Sequence, residues 1–170
     1  MSNLPLDARV LVRAPKLAAL VAALLVRVPP GTPLRRRLLS RVVVLGFRLN
    51  EREDFEHVAR LMYEPDAELR LHGYEAMGLP DHYAGRVGLL AFLDDWEREV
   101  ASLIWRPLEV IDLGVRVLVR VEYTGTGRVS RAEVTHTSGW LFHLSPRGRI
   151  AVHDFYWEWP DAIDNVGLRR

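Results

Sequence analysis

Ten consecutive apolar residues occupy positions 17–26, and Pro29-Pro30-Gly31 then breaks the chain. Thr32-Pro33 reads as a helix N-cap followed by proline at the first helical position. Beyond it Leu34, Leu38, Val42, Leu45 and Leu49 recur at steps of four and three, the stripe of an amphipathic helix. Arg35, Arg36, Arg37, Arg41 and Arg48 fall mainly off that stripe and read as a solvated face. Asp54 is placed to cap a second helix with Phe55, Val58 and Met62 on one side, stopped at Glu64-Pro65. Alternation over 66–72 predicts a strand, and a loop with Gly73, Gly78, Pro80 and Gly85 follows. A third helix fits 87–101, where Leu89, Leu93, Trp96 and Val100 keep helical spacing and Trp96 reads as core. Strands are then expected over 110–113, 115–123, 129–144 and 149–159. Turns fall at Asp112-Leu113-Gly114, Thr124-Gly125-Thr126-Gly127 and Ser145-Pro146-Arg147-Gly148. Helices first and antiparallel hairpins afterwards make an α+β domain, with helices against one face of a curved sheet.

At 170 residues the chain is one ordinary domain long, and folding at that length buries about 70% of the surface exposed by the unfolded chain. With 49% hydrophobic and 26% charged residues it reads as a globular protein. The absence of cysteine excludes thiol nucleophiles, disulfides, iron–sulfur clusters and Cys-ligated zinc. A net charge of +1 gives no global field toward nucleic acid, so a nucleic-acid partner is not expected. A cytoplasmic location fits this composition.

The apolar run 17–26 imitates a secretory signal, but Asp7 lies in its basic flank, Pro15 interrupts it, and no small-x-small site follows. Ten residues are also too few for a membrane-spanning helix, which needs about 20. The run is read as a helix packed on protein rather than on a membrane. Residues 1–32 then form an extension to a domain spanning 33–168.

A resemblance rests on several of these pieces in order. They are Pro65-Asp66-Ala67-Glu68-Leu69, Gly85-Arg86-Val87-Gly88 opening the helix with Trp96, and the segment Ile111-Asp112-Leu113-Gly114-Val115-Arg116-Val117-Leu118-Val119. The ending has Gly148-Arg149-Ile150, Phe155-Tyr156-Trp157-Glu158, Ala162-Ile163 and Val166-Gly167-Leu168. Together they resemble the SnoaL-like branch of the nuclear transport factor 2 (NTF2-like) superfamily. The resemblance implies a cone-shaped α+β barrel, a curved antiparallel sheet with N-terminal helices packed against its concave face around one apolar pocket, often as a dimer. It also implies a range of activities, from polyketide cyclases, isomerases and hydrolases to binders that do no chemistry.

Candidate site residues follow from that likeness. The similar limonene epoxide hydrolases carry an Arg-x-Asp pair after the turn glycine and an aspartate on the last strand. Here Arg120-Val121-Glu122 stands at the first place, Phe155 at the second, and His153 lies two residues before it. At the base and protonated-acid positions of the similar ketosteroid isomerases stand Leu71 and Trp140, respectively. Residues two apart on a strand share a face, so Arg120 and Glu122 can share a site. Two readings of that strand stay open. In the family register Arg120 and Glu122 face the pocket with His153, leaving Val117, Val119, Val121 and Tyr123 outside for a homodimer partner to cover. In the plain alternation the valines are buried and the charged positions are wet. Trp140, Phe142, Phe155 and Trp157 share inward parity with Leu69 and Leu71, as core or as the walls of a ligand cavity.

No HExxH segment, G-x-S-x-G elbow or glycine-rich phosphate cradle occurs, and neither metal nor cofactor is expected. Two function classes remain. One is a cofactor-independent cyclase, isomerase or hydrolase acting on a small hydrophobic metabolite, with Glu122 as base, Arg120 orienting and His153 as acid. The other is a ligand-binding or dimerisation module without turnover.

Overall fold

The computed structural model describes residues 15–50, 55–128 and 131–168. Asp54, the expected cap, lies outside them, as do the side chains of Phe55 and Val58. Among the described residues four helices, α1 (Pro15–Arg27), α2 (Pro33–Asn50), α3 (Phe55–Met62) and α4 (Gly85–Glu99), precede or interrupt the strands, and α5 (Trp159–Asn165) follows them. The strands are β1 (Tyr63–His72), β2 (His82–Ala84), β3 (Val100–Asp112), β4 (Arg116–Gly127), β5 (Glu133–Leu144) and β6 (Ile150–Tyr156). They form one curved sheet in the order β2-β1-β6-β5-β4-β3. The α+β architecture is the expected one, with differences in the strands: β3 begins at Val100, inside the segment expected as helix. The sheet is not wholly antiparallel, because β1 and β6 run parallel. That pairing sets the first and last strands side by side, so Leu69 lies opposite His153 and Leu71 opposite Phe155.

The sheet has two unlike faces. On the concave one, Leu69, Val117, Val119, Val121, Trp140, Phe142 and Phe155 join Leu25, Leu39, Phe47, Leu89 and Phe92 of the helices in the main core. On the other, Leu118, Leu141 and Tyr156 pack with Ala162 under α5. Gly139 makes that second contact possible, since a Cβ there would fall 2.2 Å from the Ala162 methyl. Trp96 is buried core, edge-on to Tyr74 and Tyr123.

The valine face is therefore not left outside. Val119 pairs with Trp140 and Val117 with Phe142, and directly opposed residues of neighbouring strands share a face. With Trp140 and Phe142 inward, the odd positions of β4 are inward too, and the family register for Arg120 and Glu122 fails. The chain's own helices cover these valines, so they offer nothing to a second copy. Strand β4 also runs through Thr124-Gly125-Thr126-Gly127, where the glycine pattern predicts a turn.

Helix α1 lies on the domain as expected of its apolar run, and what fastens it is an arginine. Thr32 caps α2 as its position predicted, its Oγ1 accepting from the Arg35 amide at 3.3 Å. Arg35 is not on a wet face; it is 1% exposed. Its Nη1 donates to the Leu25 and Val28 carbonyls at 2.6 and 2.9 Å, its Nε to Asp112 Oδ2 at 2.8 Å, and its Nη2 to the Gly114 carbonyl. Leu25 supplies one of the carbonyls that a helix C-terminus leaves without an intrahelical partner. One guanidinium thus ties the end of α1, the start of α2 and the β3–β4 turn. Further along, α1 sits directly on the β5–β6 turn: Gly148 has φ +76°, and a Cβ there would lie 1.9 Å from the Ala22 carbonyl oxygen. Helix α1 accordingly contributes to the core through Leu25.

Replacing Arg35 with leucine should cost about 3–5 kcal/mol, because Asp112 and the three carbonyls lose their partner. Urea unfolding of Arg35→Leu checks this; an unchanged midpoint would show that the arginine holds nothing.

Candidate functional site

Between the sheet and the helices lies a cavity of about 140 Å³. Its floor is Leu69 of β1, Val117 of β4, Trp140 and Phe142 of β5, and His153 and Phe155 of β6. Trp105 of β3 and Leu89 and Phe92 of α4 close the sides. The roof is made by Ala18, Val21, Ala22 and Leu25 of α1 with Leu39, Val43 and Phe47 of α2. Alanines at two of those α1 positions let the helix approach closely while leaving space beneath. Phe47 stacks on Trp140, ring centroids 4.9 Å apart, which fixes the indole as part of the wall.

In this otherwise apolar lining His153, with Tyr63 beside it, is the polar exception. It is 1% exposed, with the Phe155, Phe142 and Trp140 rings at centroid distances of 3.9, 4.2 and 5.2 Å. Its Nδ1 lies 2.8 Å from the Tyr63 hydroxyl, and its Nε2 has no protein partner. Burial holds the imidazole well below its usual pKa, with His143 nearby acting in the same direction, so His153 is neutral. Burial also pushes the Tyr63 phenol up, so its proton stays on. A hydroxyl that donates to Nδ1 puts the imidazole proton on Nε2 and leaves one orphan polar group; the other tautomer would leave two. The site therefore offers the His153 Nε2–H, a buried donor with no protein partner, beside aromatic walls.

Of the residues expected to do chemistry, only His153 is here. Glu122 lies on the opposite face, where Arg106 Nη2 donates to its Oε1 at 2.6 Å. Arg120 is on that face too, its guanidinium 5.7 Å from the centre of the Trp159 ring. Neither Arg120 nor Glu122 is brought to His153, because a strand cannot present Val119 and Arg120 on the same side. The aromatic expectation fares better: Leu69, Trp140, Phe142 and Phe155 line the cavity. Leu71 and Trp157 share the inward face but lie outside the lining, Leu71 in the core and Trp157 against Tyr74 and His136. Tyr63 was missed. It directly precedes Glu64-Pro65, which reads as a helix stop, so nothing marked it as a strand residue aimed inward.

The outer face has its own polar cluster. Asp154, nearly buried, accepts from His72 Nε2 at 3.0 Å and His143 Nε2 at 2.8 Å. Among the described residues no group of three or more His, Asp or Glu is placed to hold a metal ion.

No protein-family profile and no curated protein matches the sequence; solved structures do match the fold. An NTF2-like protein of unknown function from Burkholderia pseudomallei K96243 superposes with TM-score 0.63 at 19% identity, over 75% of this chain and 96% of that one. A SnoaL-like polyketide cyclase homologue from Jannaschia sp. CCS1 gives 0.62 at 16%, over 84% and 100%. SalBIII, an epoxide hydrolase/cyclase-like enzyme in pyran ring formation of the polyether salinomycin, gives 0.57 at 20%, over 72% and 92%. The chain has the NTF2-like fold, and the SnoaL-like resemblance of its sequence is borne out at that level.

A buried neutral histidine makes stability depend on pH. Below about pH 6.5 an unfolded imidazole takes up a proton that folded His153 refuses. Stability contributed in this way is complete above that pH and falls as the pH is lowered beneath it, by about 1.4 kcal/mol per unit for this one proton. Urea unfolding between pH 7 and about pH 5 should show that slope, and His153→Phe should reduce it by the same amount. Equal slopes in the two proteins would mean that His153 titrates normally.

Proposed function

We propose that the protein binds a small, largely apolar molecule in the cavity beneath α1 and α2, held by one hydrogen bond from His153 Nε2–H. The observation that carries this reading is the orphan donor itself. An unpaired buried N–H costs about 1–3 kcal/mol, and a ligand oxygen at that point would remove the penalty. The size of the cavity sets the scale of the ligand, since an engineered cavity of about 150 Å³ in another protein admits benzene. A single ring carrying a carbonyl, ether or hydroxyl oxygen fits that volume and chemistry.

The Tyr63–His153 pair supports a second reading, in which binding is followed by cofactor-independent cyclisation, isomerisation or hydrolysis. His153 Nε2–H would polarise the ligand oxygen, and the Tyr63 hydroxyl would stand behind it as a proton source. Against turnover stands the lining, which holds no carboxylate among the described residues. A neutral imidazole whose pKa is depressed is also a weak base and a scarce acid near pH 7. The geometry therefore favours binding first, with chemistry restricted to reactions driven by polarising one oxygen.

Acetophenone and ethylbenzene have nearly the same shape and differ in the carbonyl. By NMR titration the protein should bind acetophenone about ten-fold more tightly than ethylbenzene, the worth of one net hydrogen bond. His153→Phe should erase the preference while leaving ethylbenzene affinity within about two-fold. Equal affinities for the two probes, or binding of neither, would contradict the reading.

A further inference from the structure

The helices that roof the cavity have a second face with a different character. On α1, Leu17, Leu20 and Leu24 recur at i, i+3 and i+7, yet they point away from the domain and are 40%, 55% and 44% exposed. Lys16 and Arg27, both exposed, stand at the two ends of that stripe. On α2, Arg37, Arg41, Val44 and Arg48 recur at i, i+4, i+7 and i+11, all exposed, on the side opposite Leu39, Val43 and Gly46. Leu34, 59% exposed, continues this face toward the start of the helix. Among the described residues Lys16, Arg27, Arg36, Arg37 and Arg41 have no ion-pair partner.

The sequence concentrates charge in the same place. Residues 1–50 hold nine Lys and Arg and one Asp, whereas residues 51–170 hold fourteen Lys and Arg and twenty-one Asp and Glu. The net charge of +1 is thus the sum of +8 and −7. The acidic run from Glu51 to Glu56 follows Arg48 and offsets that end, so the uncompensated charge centres on Arg27, Arg36, Arg37 and Arg41.

We infer that the outward face of α1 and α2 docks on an anionic lipid bilayer. Exposed leucines on a helix flanked by basic residues and free of acidic ones match both layers of such a surface: leucines enter the headgroup–acyl boundary and arginines meet lipid phosphates. Duplex or single-stranded nucleic acid would use the arginines but give the leucines nothing, and exposed aromatics for stacking bases are missing from the described part of this face. Docking goes beyond ligand binding and does not depend on it. It would bring the roof of an apolar cavity to the surface from which an apolar molecule can be taken.

The full chain is to be sedimented with phosphatidylcholine vesicles, with and without phosphatidylglycerol. Binding is expected to the mixed vesicles, weak or absent on pure phosphatidylcholine, and lost as salt is raised. Arg37→Glu with Arg41→Glu should weaken it by at least about thirty-fold, from about five-fold per lost charge. Leu20→Ser with Leu24→Ser should weaken it by at least about ten-fold. All four side chains are exposed, so the variants should keep the wild-type melting temperature and their acetophenone affinity. Absent binding to mixed vesicles, equal binding to both vesicle types, or binding untouched by the leucine changes would overturn the inference. So would a homodimer in light scattering that Leu20→Ser with Leu24→Ser dissociates, or duplex DNA binding in the absence of vesicle binding.

Discussion

A buried guanidinium is tolerable only when its donors are matched, and Arg35 is matched by groups from two other, separated parts of the chain. Two carbonyls come from the end of α1, one carboxylate and one carbonyl from the β3–β4 turn, and the arginine itself from α2. None of these pieces can move without stranding a charge in a dry environment, where an unpaired group costs several kcal/mol. The consequence is a fixed roof. Leu25, whose carbonyl Arg35 takes, also puts its side chain over the cavity, so the arginine couples the helix termini to the shape of the site.

Under that roof the same rule runs in the opposite direction. Polar atoms in an apolar interior are expected to be paired, and Tyr63 with Nδ1 of His153 obeys this. Nε2 does not. Its isolation depends on the ring remaining neutral, which the surrounding aromatic rings ensure by excluding water. Apolar walls therefore do two things: they supply the contact area for a ligand, and they keep the donor in the one protonation state that suits an oxygen acceptor. The charged candidates Arg120 and Glu122 would have destroyed this environment had they faced inward.

The parts of this architecture that depend on local pattern could be read from the sequence. Thr32-Pro33 announced the start of α2, the alternating aromatics of β5 and β6 announced the inward face, and helical spacing placed Trp96 in the core. The errors concern what one strand cannot reveal about its neighbour. Inward Trp140 implies inward Val119 only when the β4–β5 register is known, so two expectations that looked independent were in conflict. Arg35 was indistinguishable from Arg36 and Arg37 in a run of three, because the groups that bury it lie 7 to 79 residues away. Tyr63 was hidden by the helix-stop signal that directly follows it.

The account stands on His153 being a neutral Nε2–H tautomer inside an apolar cavity. Long-range nitrogen–proton correlation NMR on the ¹⁵N-histidine protein reports the protonation of each ring nitrogen directly. A His153 ring with its proton on Nε2, unchanged as the pH is lowered from about 8 to about 5 and shifted when acetophenone is added, is the predicted result. A His153 ring that titrates near pH 6.5, or one carrying its proton on Nδ1, would contradict it.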